Sequence, residues 1–179
     1  MLTVKNSKAF LLADKTLDAK PYNFESKAVT WETCSLRAWL NDDFYNTAFT
    51  AAEQAKILTT EVENEDNPIS GTGGGNNTND KLFLLSYSEV TNPAYGFSSD
   101  FSTYDTARWA QGTDFAKGNG LWVLTDSSYL GNSSWWLRPH DDDPCFTSVV
   151  DGKGFVASLF GSPVDRTYNG VRPALWINL

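Results

Sequence analysis

Short apolar runs separated by polar turns predict most of the strands in this chain. Residues 2–4 and 9–12 flank a polar turn at 5–8, so we expect the chain to begin with a β-hairpin. The apolar run at 81–86 is typical of a strand buried on both faces. Further strands are predicted at 121–124, 135–138, 146–150, 155–160 and 171–177. The Asp-Gly-Lys-Gly turn at 151–154 joins two of these strands into a second hairpin.

Helices are predicted where apolar residues recur every three or four positions or where a capping box begins. Trp31, Leu36, Trp39 and Leu40 fall near one helical face, and the polar residues 41–43 interrupt that pattern. Capping boxes and short helical patterns predict the remaining helices at 51–58, after Ser86, at 106–111 and at 113–117.

The longest loop is predicted at 61–80, which is polar and rich in glycine. Such a segment buries little apolar surface, so we expect a mobile surface loop. Its glycines lack the preceding strand, the following helix and the lysine of a phosphate-binding loop. Shorter loops are predicted at 18–23 and 95–104. A strand pair, then helices, then strands with long irregular connections predicts an α+β fold with an antiparallel sheet.

Length and charge restrict the class of protein. The 179 residues fit one domain with a substantial core. The formal net charge is −8 and the 14 basic residues form no run, which argues against nucleic acid and anionic membranes as partners. The chain begins without the basic head and apolar core of a signal peptide, and no apolar run approaches the ~18 residues of a membrane span. We therefore expect no direct membrane insertion.

Catalytic and metal-binding patterns are weak. Cys34 and Cys145 are expected to be two separate thiols, and with one histidine they make no plausible zinc site. No nucleophile stands beside a base, although a hydrolase with paired carboxylates stays open. Calcium could use the oxygens of 141–143 or 76–80, but neither has EF-hand spacing, and solvated acidic loops are favoured. We predict no catalytic residue, no cofactor and no metal.

Two motifs rich in tryptophan and arginine enclose a segment of different composition. Ser-Trp-Trp-Leu-Arg at 134–138 and Gly-Val-Arg-Pro-Ala-Leu-Trp-Ile at 170–177 bracket the 31 residues of 139–169. The bracket side chains could form a carbohydrate-stacking platform, but a buried frame is favoured for Trp135, Trp136, Arg138 and Arg172. A rigid frame around a variable interior is typical of binding surfaces.

The bracket motifs, together with 31–41, 44–49 and 80–86, resemble an uncharacterised domain family abundant in gut bacteria and their phages. That family is similar to the C-type-lectin-like fold shared by formylglycine-generating enzymes and variable proteins of diversity-generating retroelements. The resemblance implies one C-type-lectin-like domain over 1–179, with a further strand upstream of Leu2 and hence a chain trimmed at its N-terminus. The cysteine pair of a formylglycine-generating enzyme is not evident, so that activity is not implied.

The resemblance to variable proteins can be tested within the sequence. Randomising both adenines of AAC codons gives NNC, which never encodes Lys, Glu, Gln, Met or Trp. These types occur 24 times in residues 1–138, so 31 residues at that density would hold about five. The segment 139–169 holds only Lys153, in the predicted hairpin turn. The deficit favours 139–169 as a variable ligand-binding region, although a loop poor in these types would look similar.

We therefore expect a non-enzymatic recognition domain that binds a protein or glycan on another cell or particle, at a bacterial surface or on a phage. The alternatives are a fixed-sequence surface or carbohydrate-binding module and, third, a formylglycine-generating-like enzyme or hydrolase. Because side chains alternate along strands, about half of the strand positions should face away from the ligand. The expected ligand-binding residues are His140, Asp141, Asp142, Asp143, Cys145, Phe146, Ser148, Phe155, Phe160, Ser162, Arg166 and Tyr168.

Overall fold

The first and last strands of the chain lie in one three-stranded antiparallel sheet. In this computed structural model, which describes residues 1–179 except for the side chain of Phe160, the order is β1 (Thr3–Lys5), β2 (Lys8–Leu12) and β10 (Ala174–Asn178). The first hairpin is confirmed, with Asn6 and Ser7 in the left-handed conformation that a tight hairpin turn requires. The rings of Phe10 and Trp176 stack across β2 and β10, 4.8 Å apart.

A second sheet of five strands contains most of the predicted ligand-binding segment. Its order is β3 (Asp18–Ala19), β9 (Gly170–Val171), β6 (Trp135–His140), β7 (Phe146–Val150) and β8 (Val156–Pro163). All neighbours are antiparallel except β6 and β9. The second hairpin is confirmed. Gly154 is required in its turn, because its φ is +91° and a Cβ there would collide with the backbone of Asp105.

Both neighbours of β7 bulge at the same level. Thr147 pairs with Ser162 and Val149 pairs with Ala157, so residues 158–161 of β8 stand opposite Ser148 alone. On the other side, the register of β6 shifts between Trp136 and His140. A bulge bends its strand and re-aims the following side chains, so strict alternation fails in this part of the sheet.

The prediction of a mobile loop over 61–80 is wrong at both ends of that segment. Residues Thr60–Val62 form β4 and Thr78–Asp80 form β5, which pair as a two-stranded antiparallel sheet. Between them, Asn64 and Asn67 are buried. The side chain of Asn67 and the amide nitrogen of Asn64 replace bonds to water with hydrogen bonds to the protein, which hydropathy does not reveal.

The helices are short, and the first continues through the predicted interruption. α1 (Ser35–Trp39) runs into a π-helical turn (Leu40–Phe44) and then α2 (Tyr45–Ala48). Asn41 lies within the turn because its side chain bonds Leu82 O and Lys81 N outside the helix. Both capping boxes are confirmed. The remaining helices are α3 (Ala51–Gln54), shorter than predicted, α4 (Tyr87–Val90), α5 (Asp114–Gly118) and 3₁₀ turns at Pro93–Tyr95 and Thr106–Arg108.

Four other segment predictions need correction. Residues 82–85 are fully buried, but only Phe83 makes a β-bridge, to Ala174. Within 121–124 only Val123 makes one, to Ser133, and the predicted loop at 18–23 begins with β3. The predicted strand 171–177 is split into β9 and β10, because Pro173 has no N–H for a ladder.

The core confirms the coarser fold class: mixed helix and strand, with mostly antiparallel sheets and few short helices. One large hydrophobic cluster holds the tryptophans Trp31, Trp135 and Trp136 together with Phe10 and residues 82–85. Cys34 and Cys145 are free thiols, as predicted. No helix in the described part of the chain is long and apolar enough to cross a membrane.

Candidate ligand-binding site

The bracket side chains form a buried frame, as predicted. Trp135 and Trp136 are fully buried, and their indole nitrogens donate to Arg108 O (3.1 Å) and Lys20 O (2.8 Å). The Arg172 guanidinium lies 4.8 Å from the centroid of the Trp135 ring and donates to Ala13 O. Burial lowers the pKa of Arg172 to about 10, so the group is still charged at neutral pH.

Four of the predicted ligand-binding side chains are buried in this frame and present no surface to a ligand. The side chains of Ser148 and Ser162 are buried. Ser148 Oγ lies 3.3 Å from Ser158 Oγ, and Ser162 Oγ accepts from the Asn169 amide (2.7 Å). Asp141 accepts from the backbone N–H groups of Asp142 and Gly161, and burial raises its pKa. The fourth is His140.

The imidazole of His140 is almost fully buried, and neither ring nitrogen has a hydrogen-bond partner among the described residues. Burial lowers its pKa from the ordinary value of 6.5. A general base acts within hydrogen-bonding reach, about 3 Å between heavy atoms, of the group whose proton it removes, and no described residue bonds the His140 ring in this way. The only histidine therefore lies in the protein interior rather than on the predicted binding surface.

The other predicted residues reach the surface in separate places. Asp142, Asp143, Arg166 and Tyr168 are exposed, whereas Cys145, Phe146 and Phe155 are half-buried. Phe160 was also predicted, but its side chain lies outside the described residues.

Cys145 and Phe155 illustrate this separation. Asp143 Oδ1 accepts from Cys145 N (2.8 Å), and the pKa of the Cys145 thiol is raised by desolvation and by the Asp143 carboxylate. Phe155 instead packs near the rings of Phe101 and Tyr104. Cys145 and Phe155 therefore contact different parts of the protein.

One of these exposed residues, Tyr168, borders the largest of the described concavities. We call this concavity the aromatic shelf. Its volume is about 520 Å³, and it is lined by Gly120, Leu121, Trp122, Ser134, Tyr168 and Asn169. Trp122 is 58% exposed and Tyr168 is 45% exposed, and Trp122 N donates to Tyr168 O (3.1 Å). Exposed aromatic rings held by backbone bonds offer area for ligand contact at little cost in ordering.

Trp122 was missed by sequence reasoning, because the apolar run 121–124 predicted a buried strand. No signal in that run marked Trp122 as exposed; in the structure Leu121 is buried and Trp122 is exposed, because successive side chains of an extended segment point to opposite sides. The segment is held instead by the bridge of Val123 to Ser133, by the bond of Trp122 N to Tyr168 O, and by backbone bonds of Leu121 and Leu124 to other segments.

A second concavity of about 360 Å³ is lined in part by Asn119, which precedes the shelf residue Gly120 in the chain. It contains the exposed ring of Phe115 and the partly buried ring of Trp39, with Lys20 Nζ 4.6 Å from the centroid of Trp39. Lys20 N donates to Asn169 O (3.3 Å), which ties this wall to the shelf. The two concavities together expose aromatic surface with a few polar groups at its edges.

The described residues show no reactive constellation beside this surface. Burial raises the pKa of Cys34 to about 12, so its thiol is protonated at neutral pH. No group of three or more His, Cys, Asp or Glu side chains, within the described part of the chain, is placed to hold a metal ion. The geometry favours contact by stacking and hydrogen bonds.

Comparison with known proteins identifies a family to which the chain is similar. The model of a protein family described as "Domain of unknown function (DUF6273)" matches residues 6–179. No curated protein and no solved structure matches the chain.

Proposed function

We propose that this chain, which belongs to the DUF6273 family of domains of unknown function, is a non-enzymatic recognition domain. We further propose a C-type-lectin-like fold, supported by mostly antiparallel sheets, few short helices and long irregular connections. The ligand is a protein or glycan on another cell or particle, and the domain acts at a bacterial surface or on a phage.

The observation that carries this proposal is the aromatic shelf. Trp122 and Tyr168 present more ring surface than a side chain in a core would, and Ser134 and Asn169 stand beside them as polar groups. Binding sites commonly combine apolar walls with a small number of placed polar groups. Tyr168 belongs to the segment 139–169, so the shelf includes one residue of the ligand-binding region that the sequence predicts.

We propose that diversification acts on the exposed members of 139–169. Only Lys153 in that segment is of a type that NNC codons never encode. Substitution is tolerated at exposed positions because fold stability resides mainly in buried groups. The proposed variable positions therefore become Asp142, Asp143, Arg166 and Tyr168, together with the half-buried Cys145, Phe146 and Phe155.

One feature favours a fixed-sequence binding module as the second candidate. Trp122 is the more exposed ring of the shelf, yet it lies outside 139–169 and tryptophan is never encoded by NNC. A fixed aromatic ring beside a variable one is compatible with diversification. A shelf that binds mainly through Trp122, however, would not require diversification of 139–169. The two candidates differ in the genome: diversification requires a near-repeat of the region encoding 139–169, altered at adenines, beside a reverse transcriptase gene.

The shelf is tested by probing a glycan array and an array of bacterial and phage surface proteins with the wild-type domain. Trp122→Ala and Tyr168→Ala should each weaken binding by ~2 kcal/mol, as truncation of a central aromatic contact does. Phe24→Ala is the matched control, because Phe24 is 72% exposed but does not line the shelf. If all variants bind the ligand equally, recognition takes place outside the shelf. If the wild-type domain binds nothing on either array, the result would argue against a recognition domain.

A further inference from the structure

A small cavity lies where the connection 63–77, between β4 and β5, meets Arg138 on β6. Its volume is about 10 Å³, and it is lined by Asn64, Glu65, Gly74, Ser86, Arg138 and Pro139. None of these residues lines the aromatic shelf. A space of this size is at the lower limit, ~10–15 Å³, for holding one water molecule, and it is too small for a sugar ring or a peptide.

Arg138 has one hydrogen-bond donor that no described residue uses. Its side chain is 4% exposed, and its two terminal nitrogens donate to Leu84 O, Glu63 O and the Glu89 carboxylate. Its Nε is buried and has no partner among the described residues. Within the rigid, planar guanidinium Nε lies close to Nη2, which donates to Glu63 O (3.1 Å), so Nε is held near the chain just before Asn64.

Asn64 has the complementary group, an unused acceptor. Only 8% of this residue is exposed, and its Oδ1 is buried without a partner in the described part of the chain. The amide orientation is fixed, because Nδ2 donates to Asn76 O (2.7 Å) and the reversed amide would place two acceptors against each other. Unpaired buried polar groups are costly, so Asn64 Oδ1 requires a donor and Arg138 Nε requires an acceptor.

The walls of the cavity offer little to these two atoms. Pro139 has no N–H that could donate to Asn64 Oδ1. Gly74 has no side chain, and a Cβ there would collide with the carbonyl oxygen of Asn64. Ser86 Oγ already accepts from Glu89 N (3.2 Å). The simplest source of both missing bonds is therefore a molecule small enough to occupy the cavity.

We propose that the cavity is a binding site for one water molecule, which accepts from Arg138 Nε and donates to Asn64 Oδ1. Water suits this pair of atoms because it donates and accepts at once, whereas an anion has no proton for Oδ1 and a metal ion has no lone pair for Nε. The water joins the connection 63–77 to β6 and completes the hydrogen bonds of a buried guanidinium. This site does not depend on the shelf, so either proposal can fail without the other.

The first test is a high-resolution crystal structure of the full chain. We expect an electron-density peak within about 2.7–3.2 Å of both Arg138 Nε and Asn64 Oδ1. The absence of a peak at that position, a direct bond of Arg138 Nε to Asn64 or Glu65, or the anomalous signal of an ion would each overturn the proposal.

The second test measures nuclear Overhauser effects between water protons and arginine Nε–H groups in the ¹⁵N-labelled chain. Arg138 Nε–H should show a cross-peak to water, whereas the matched control Arg172 Nε–H, which donates to Ala13 O (2.8 Å), should show none. Asn64→Leu removes the acceptor and should abolish the Arg138 cross-peak. No cross-peak at Arg138, equal cross-peaks at both arginines, or a cross-peak that survives Asn64→Leu would contradict the proposal. If the variant does not fold, the comparison of the two arginines in the wild-type chain still decides.

Discussion

At the scale of single residues, buried polar side chains hold distant segments of this protein together. Arg108 is fully buried, and its guanidinium donates to the carbonyls of Val90, Ser98, Asp100, Thr103 and Gly154. The Asp105 carboxylate lies 3.7 Å from Arg108 Nε. Sequence reasoning assigned Arg108 only to a short helical turn, because its partners are backbone carbonyls, which have no signature in the sequence. Arginine suits this role since its fork donates in several directions at once.

The buried His140 predicts a pH dependence of stability. Burial lowers its pKa below 6.5 in the folded state, so at acidic pH the unfolded chain binds the additional proton. The stabilisation is complete above pH 6.5 and is lost as the pH falls towards the folded-state pKa. We expect the free energy of unfolding, measured with urea between about pH 7.5 and 5, to fall by up to ~1.4 kcal/mol per pH unit from this group.

The comparison for this prediction is His140→Gln, which places an uncharged polar side chain at the only histidine position. Its free energy of unfolding should lack the component that begins near pH 6.5, so the two curves should converge as the pH falls. Parallel curves for the two proteins would show that the pKa of His140 is the same in the folded and unfolded states.

At the scale of elements, the connection 63–77 is a strap fixed across the five-stranded sheet. The side chain of Asn67 is fully buried, and its amide nitrogen donates to His140 O on β6 and Ser158 O on β8. Its Oδ1 accepts from Ile69 N (2.9 Å) and from Ser70 N. A single asparagine therefore satisfies backbone groups in three segments, which explains why a polar, glycine-rich connection can lie against the sheet.

Asn67→Ala should release the strap from the sheet. The substitution leaves buried carbonyls without donors, which should lower the free energy of unfolding by ~2–3 kcal/mol. Hydrogen–deuterium exchange should rise in 63–77 and change little in β2 and β10. Asn76→Ala is the control, because Asn76 is exposed and bonds only Glu32 with its side chain. Uniformly faster exchange over the whole chain would indicate global destabilisation instead of local release.

At the scale of the whole molecule, the frame and the surface of 139–169 are separable. The frame consists of buried tryptophan, arginine and serine side chains, whereas Asp142, Asp143, Arg166 and Tyr168 are exposed. Changes at exposed positions away from special features usually alter stability by less than about 0.5 kcal/mol each, and distant changes add. The molecule can therefore carry different surfaces on one frame.

The corresponding prediction compares four surface changes with one buried change. Asp142→Ser, Asp143→Ser, Arg166→Ser and Tyr168→Ser together should lower the free energy of unfolding by no more than ~1–2 kcal/mol. Ser148→Phe alone should cost at least ~2 kcal/mol, because an added ring overpacks a fully buried position between two bulges. Urea unfolding measures both. Equal tolerance of the two variants would mean that burial does not limit substitution in this segment.

Local patterns in the sequence correctly predicted the features that neighbouring residues determine. Both hairpins, both capping boxes, the strand Phe146–Val150 and the buried bracket of Trp135, Trp136, Arg138 and Arg172 follow from such patterns. Turn residues, N-caps and apolar runs act within a few positions, so their effects survive in any fold that contains them. The coarse α+β class follows from the order of these elements.

Tertiary contacts decided the rest, including which residues can meet a ligand. The sequence marked 139–169 as a distinct segment, but the fold buries His140, Asp141, Ser148 and Ser162 and leaves other members exposed. Bulges on both sides of Ser148 break the alternation from which exposure could be inferred. Trp122 joins Tyr168 only through a long-range backbone bond, and a one-dimensional pattern cannot encode contacts between segments far apart in the chain.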